Sequence, residues 1–171
     1  MQDANETKPH WLRVLAIGRR PRATLIRIIV LAVVCFVTFK FILLPVRIQG
    51  ISMEPTCRNG SVNFVNRLAY KNQEPQRGDI VSVRFAGTSI MYMKRIIALP
   101  GETLEFHQGQ AYINGRRLDE PYLKGACDWE AGPFVCGETQ YYIVGDNRTM
   151  PFQLHEQGRA ERERIFGKLL L

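Results

Sequence analysis

Leu25–Leu44, LIRIIVLAVVCFVTFKFILL, is the stretch on which the architecture turns. As a helix, twenty residues rising about 1.5 Å each span roughly 30 Å, the thickness of a bilayer's hydrocarbon core. Arg27 and Lys40 interrupt it, each within about a turn of an end, where a long side chain reaches the interface. Pro45 follows as a stop. A run that is apolar on every side suits lipid better than the one-sided burial of a helix in a soluble domain. Lys8, Arg13, Arg19, Arg20 and Arg22 precede the run, against only Asp3 and Glu6. That asymmetry predicts a cytoplasmic segment over 1–24, an anchor over 25–44 and an extracytoplasmic domain over 46–171. A cleaved leader would need small residues at its exit. Leu44-Pro45-Val46-Arg47-Ile48-Gln49 supplies none, so the reading is an uncleaved single-pass anchor.

The length of 171 residues allows about one domain beside the anchor. The net charge of +7 raises the question of nucleic acid. The basic residues form no aromatic-interleaved patch, and the membrane accounts for their distribution, so no nucleic-acid partner is expected. Past the anchor, Ser61–Asn66, Asp79–Phe85, Ile90–Ala98 and Gln140–Val144 have strand length and β-branched or aromatic composition. Asn114-Gly115, between Gln110–Ile113 and Arg116–Leu118, is a hairpin signal, because a type I′ turn needs positive φ twice. Arg164–Leu171 reads as a closing strand, and Leu154–Ile165 has room for one short helix. The fold class is therefore mainly β, an antiparallel domain carried on one N-terminal transmembrane helix.

Three stretches carry candidate chemistry. In Gly50-Ile51-Ser52-Met53-Glu54-Pro55-Thr56 a serine sits between a glycine that permits close backbone approach and a proline that stiffens the loop. A serine hydroxyl is a weak nucleophile without a base and oxyanion donors. Tyr92-Met93-Lys94-Arg95-Ile96-Ile97-Ala98 directs a lysine, by alternation, onto the face of Tyr92, Ile96 and Ala98. Burial depresses a lysine pKa from about 10.4 and turns a cation into a usable base. The structural alternative is an edge lysine that blocks aggregation. Gly145-Asp146-Asn147-Arg148 is a polar turn after an apolar strand. No zinc spacing occurs, and His10, His107 and His155 are scattered, with His107 read as solvent-facing. Cys127 and Cys136 flank Asp128–Val135 and are candidates for a disulfide on an oxidising side, with two free thiols as the alternative. Cys57 is a rival nucleophile that nothing nearby activates.

In this order, G-x-S-M-x-P-T, K-R-I-I-A-L-P-G-E and G-D-N-R behind a helical anchor resemble the type I (leader) signal peptidases of bacteria. The resemblance runs from the anchor to Leu171. It implies a membrane-bound serine endopeptidase of the inner membrane, without cofactor or metal, that removes signal peptides from secreted and membrane preproteins after small-x-small motifs. Ser52 matches the nucleophile and Lys94 the general base. The Ser52 amide matches an oxyanion donor, with Gly50 where some relatives have a serine, and Met53 matches a substrate-lining residue. Arg95 and Asp146 match an ion pair that ties the lysine strand to the turn. Many relatives continue G-D-N-R-x-x-S, where the serine hydroxyl orients the lysine. This chain has Thr149-Met150-Pro151, and Pro151 has no hydroxyl, as in a short branch of the family with Met-Pro and a histidine here. Thr149 is then a candidate to hold Lys94, and His155 stands where relatives have a structural arginine. A processing peptidase for one secreted or conjugative substrate, a silent membrane-tethered binding domain, and the Ser/Lys dyad of self-cleaving repressors are the rival readings, the last at odds with the anchor.

Overall fold

The computed structural model describes residues 21–84, 91–123, 125 and 127–170. The expected cytoplasmic stretch up to residue 20, and Phe85 and Ile90 at the ends of two expected strands, lie outside them. The chain divides into two compact units, Met1–Phe41 and Ile42–Leu171.

In the first unit, helix α1 (Pro21–Val37) continues into a π-helical turn, Thr38–Ile42, that carries the backbone to the start of the second. Arg22–Ile42 is a 21-residue run of mean hydropathy 2.6 with none of its residues buried. By length and composition it is a candidate membrane span. Leu25, Ile26, Val30 and Leu31 each expose more than half their surface, which water would penalise at about 25 cal/mol per Å². The helical stretch stops at Ile42, two residues short of the expected end. Pro45 disfavours helical φ/ψ at Leu44 and cannot donate an i→i−4 bond, so Leu43 and Leu44 are drawn into a strand.

The second unit is built on antiparallel strands. They are β1 (Leu43–Arg47), β2 (Val62–Asn66), β3 (Ile80–Arg84), β4 (Met91–Ala98), β5 (Thr103–His107), β6 (Gln110–Ile113), β7 (Arg116–Arg117), β8 (Ala131–Val135), β9 (Gln140–Val144), β10 (Gly158–Glu161) and β11 (Ile165–Leu170). Seven of them form a sheet in the order β1-β2-β11-β3-β4-β9-β10, and four form a second, β7-β6-β5-β8. Pro45 lies on edge strand β1, where proline is tolerated. Asn114 and Gly115 have φ of +51° and +76°, as the β6–β7 hairpin required.

β4 lies centrally between β3 and β9, and its residues Lys94–Ala98 are all buried. Both of its faces are covered, so alternation of polarity disappears there. Ile97 and Ala98 of β4 and Tyr142 and Val144 of β9 share one cluster with Leu104, Phe106, Ala111 and Ile113 of the second sheet. A separate cluster of Ile48, Met53, Cys57, Val65, Ile80 and Leu169 lies under the Ser52 turn.

Two expectations are corrected here. Leu154–Ile165 is not one helix: it begins on the last residue of a 3₁₀ turn, Phe152–Leu154, and then holds β10 and a second 3₁₀ turn, Arg162–Arg164. Gly158, at φ +143°, and pairing of β10 with β9 keep that segment extended. Cys127 and Cys136 are both free thiols. The segment between them is no closed loop but contains β8, extended along β5. Cys136 exchanges backbone bonds near Glu102 at one end of β5, and Cys127 lies against Gly109 just past the other. Five strand residues separate those ends, roughly 17 Å at about 3.4 Å each, against the 4.4–6.8 Å Cα spacing a disulfide usually needs.

Candidate active site

The site is assembled from β4, the Ser52 turn and the turn after β9. Lys94 leaves β4 with 1% of its surface exposed, and its Nζ lies 2.9 Å from Oγ of Ser52. Forty-two residues apart in sequence, the two side chains meet on the wall of a groove of about 660 Å³. Residues 46–53, Met91–Lys94, Met150, Leu154 and Glu156 line the groove. Burial pushes the Lys94 ammonium down from the ordinary 10.5 to about 8, partly countered by Glu156. Oε2 of Glu156, at 3.9 Å, is the ionic partner of Lys94 among the described residues.

The Ser52 turn is held from beneath and from the side. Met53 and Cys57 sink into the apolar cluster, and the Cys57 amide donates to the Met53 carbonyl at 2.9 Å. Met53 also lines the groove. Burial, with Asp146 next, pushes the Cys57 thiol up to about 11, which leaves it protonated at neutral pH and a poor rival to Ser52. From the side, the Asn147 amide donates to the Ser52 carbonyl at 3.0 Å and Nδ2 of Asn147 donates to the Ile51 carbonyl at 3.1 Å. Hydrogen bonds from both the backbone and the side chain of one residue thus fix two successive carbonyls of the turn.

The two glycines differ in what they do. Gly50 has φ +94°, and a Cβ there would meet nothing within 4 Å, so it serves conformation and not the close approach expected of it. Close approach belongs to Gly145. A Cβ there would lie 2.1 Å from the Ser52 carbonyl oxygen and 2.4 Å from Cε1 of His155.

Arg95 points away from Lys94 and grips Asp146 through two bonds, Nε to Oδ1 at 2.8 Å and Nη2 to Oδ2 at 2.6 Å. Asp146 is fully buried; it also accepts from Oγ1 of Thr56 at 2.5 Å, which ties the far end of the Ser52 turn to the same carboxylate. The guanidinium lies 3.9 Å over the ring of Tyr122. Arg148 is buried too, donating to Glu120 through both Nη atoms and to the Gly145 carbonyl through Nε. Glu120 in turn accepts from the Tyr122 hydroxyl at 2.6 Å, so the Asp146 and Arg148 anchorages share one network.

Nε2 of His155 lies 2.9 Å from the Asn147 carbonyl, and its ring packs edge-on to Trp129. Burial pushes this imidazole down to about 4, against the pull of that carbonyl. It is neutral at pH 7, with Nε2–H donating. Thr149 gives its hydroxyl to Oδ1 of Asn147 at 2.6 Å, not to Lys94. Thr149 and His155 therefore support Asn147, which supports Ser52. His107 is exposed between Glu105 and Glu130, at the end of β5. No three His, Cys, Asp or Glu side chains converge among the described residues.

Gly145, Thr56, Glu120, Tyr122 and Glu156 went unremarked in the sequence as site-building residues. Gly145 and Thr56 at least fall inside quoted motifs. Glu120 and Tyr122 lie in an irregular segment with no local signal.

Residues 22–170 match the family model described as signal peptidase, peptidase S26. The chain belongs to the peptidase S26 signal peptidase family. It is similar to a probable signal peptidase I-2 of Synechocystis sp., 33% identical over 127 residues that cover 71% of this chain and 58% of that protein. It is also similar to signal peptidase IB of Staphylococcus aureus, 31% identical over 163 residues and covering 85% of each. A crystal structure of a signal peptidase I from Enterococcus faecalis V583 is 26% identical with a TM-score of 0.45, covering 57% of this chain and 98% of that one. As a signal peptidase of this family, the chain is a hydrolase of the signal peptidase I type.

Proposed function

We propose that this protein is a membrane-anchored serine endopeptidase that cleaves signal peptides from translocated preproteins, with Ser52 as nucleophile and Lys94 as general base. The observation that supports it most is the 2.9 Å approach of a buried lysine amine to a serine oxygen in a groove. With the Lys94 pKa near 8, roughly a tenth of the amine is neutral at pH 7, against fewer than one in a thousand for a free lysine. The neutral amine accepts the Ser52 proton as Oγ attacks the scissile carbonyl. The Ser52 amide, with Gly50 beside it, faces the developing oxyanion. Collapse of the tetrahedral intermediate passes that proton to the leaving amine and leaves an ester on Ser52. Water, losing a proton to Lys94, then hydrolyses the ester.

The substrate lies extended along the groove beside Met91–Met93, and small side chains suit its shallow apolar walls, which yields small-x-small preference. Residues 1–24 are cytoplasmic and 46–171 extracytoplasmic in this reading, with Arg22–Ile42 crossing the bacterial inner membrane. A tether in the same bilayer as the substrate's apolar segment raises effective concentration without a new contact.

The test uses detergent-solubilised protein and a preprotein with an alanine-x-alanine site. Ser52→Ala and Lys94→Ala are expected to abolish cleavage while keeping wild-type unfolding cooperativity, and mass spectrometry should find the acyl group on Ser52. Full activity in either variant refutes the dyad.

A further inference from the structure

We propose that Glu156 is a positioning residue for Lys94, its carboxylate serving where relatives use a serine hydroxyl; this rests on the Ser52–Lys94 reading. The case is geometric. Pro151 can donate nothing, the Thr149 hydroxyl is spent on Asn147, and Nε2 of His155 is spent on the Asn147 carbonyl. From the segment after the turn, the group that reaches the amine is Glu156, with Oε2 3.9 Å from Nζ. Its side chain is 58% exposed at the groove, whereas Lys94 is 1% exposed, so a partly solvated carboxylate faces an amine that has almost no other access to solvent.

Glu156 does two things at that place. Before attack, the carboxylate draws the N–H edge of the neutral amine electrostatically across 3.9 Å and so turns the lone pair toward the Ser52 hydroxyl. As Oγ attacks and the proton moves to Nζ, it faces the new ammonium with an opposite charge in a site otherwise poor in compensation. No proton passes to Glu156. The charges facing Lys94 are few. β3 sets Val81 opposite it, His155 is neutral, and Glu156 is the charged group that raises its pKa.

The test is the pH profile of kcat/KM for the full chain in detergent, wild type against Glu156→Gln and Glu156→Asp, with Ser52→Ala and Lys94→Ala alongside. Removing the charge favours the neutral amine, so Glu156→Gln should move the acid limb about one pH unit lower, as one nearby charge does at a half-exposed site. Its plateau should fall about tenfold, since amine orientation is lost and the weaker base takes the proton less readily. Glu156→Asp should keep the limb near wild type. An unmoved limb and plateau in Glu156→Gln overturn the proposal, as does a change confined to which preproteins are cut. If Lys94→Ala retains cleavage, the dyad itself fails; if both alanine variants are inactive and Glu156→Gln is unchanged, only the role of Glu156 fails.

Discussion

Gly145→Ala adds one methyl group at the place where the turn after β9 passes the Ser52 turn. Gly145 has no positive φ, so alanine is allowed by the backbone and the effect is purely steric. The new Cβ would sit 2.1 Å from the Ser52 carbonyl oxygen and 2.4 Å from Cε1 of His155. Ordinary contact begins near 3.4 Å, so the Ser52 carbonyl, at 2.1 Å, must withdraw by about 1.3 Å. That carbonyl accepts the Asn147 amide at 3.0 Å, and a shift of this size breaks the bond and carries Oγ away from Lys94. Overpacking of this kind costs about 1–3 kcal/mol of stability. A misplacement of about 1 Å in the reacting groups costs about a hundredfold in rate. The expected outcome is a folded protein, a few degrees less stable, whose single-turnover acylation rate has fallen by about two orders of magnitude. Adding His155→Ala relieves the side-chain clash but not the backbone one, so the double variant should show no recovery. Acylation within threefold of wild type in Gly145→Ala, or rescue by His155→Ala, would refute the reasoning.

Two further outcomes follow from the buried charges. Lys94→Met should abolish cleavage yet stabilise the fold at pH 7 by on the order of 3 kcal/mol, the equivalent of lowering a pKa from 10.5 to about 8. The unfolded chain holds that proton up to pH 10.5 and the folded one only to about 8, so wild-type stability falls as pH drops through this window. Unfolding measured against pH should show the variant's advantage full below about 8 and gone near 10.5; a pH-independent gap would count against a depressed lysine. Asp146→Asn leaves the Arg95 guanidinium buried without its counter-charge, since Asp146 is fully buried and Arg95 nearly so. Denaturant unfolding should show a loss of about 3–5 kcal/mol, and an unchanged midpoint would mean the pair does not hold the turn.

The strands that were legible locally share a cause. Gln140–Val144 and Gln110–Ile113 appear with the bounds read from sequence because each is a short window of strand-forming composition followed at once by turn residues. β5, β8 and β10 were not legible. Thr103–His107 has one β-branched residue in five, Ala131–Val135 contains glycine and proline, and Gly158–Glu161 has no β-branched residue at all. These three are strands because a neighbour supplies their hydrogen bonds, which no local propensity reports. The disulfide reading of Cys127 and Cys136 failed for the same reason, since the strand between the two cysteines is made by β5.

By itself, the sequence determined the apolar span and the mainly β class beyond it, and the resemblance of three motifs in order to a known family implied that Ser52, Lys94, Arg95 and Asp146 belong together. These are properties of composition, period and motif, carried by short windows. Tertiary structure alone decided which groups touch. It placed Nζ of Lys94 at Oγ of Ser52, gave Asn147 the task of holding that turn, made Gly145 the close approach and not Gly50, and put Glu156 beside the lysine where a hydroxyl was missing. Those are contacts between segments 42 to 96 residues apart or between side chains on neighbouring turns. They exist because the order of strands in the sheet brings β4 and β9 together under the Ser52 loop, and pairing of that range leaves no trace in any one stretch of chain.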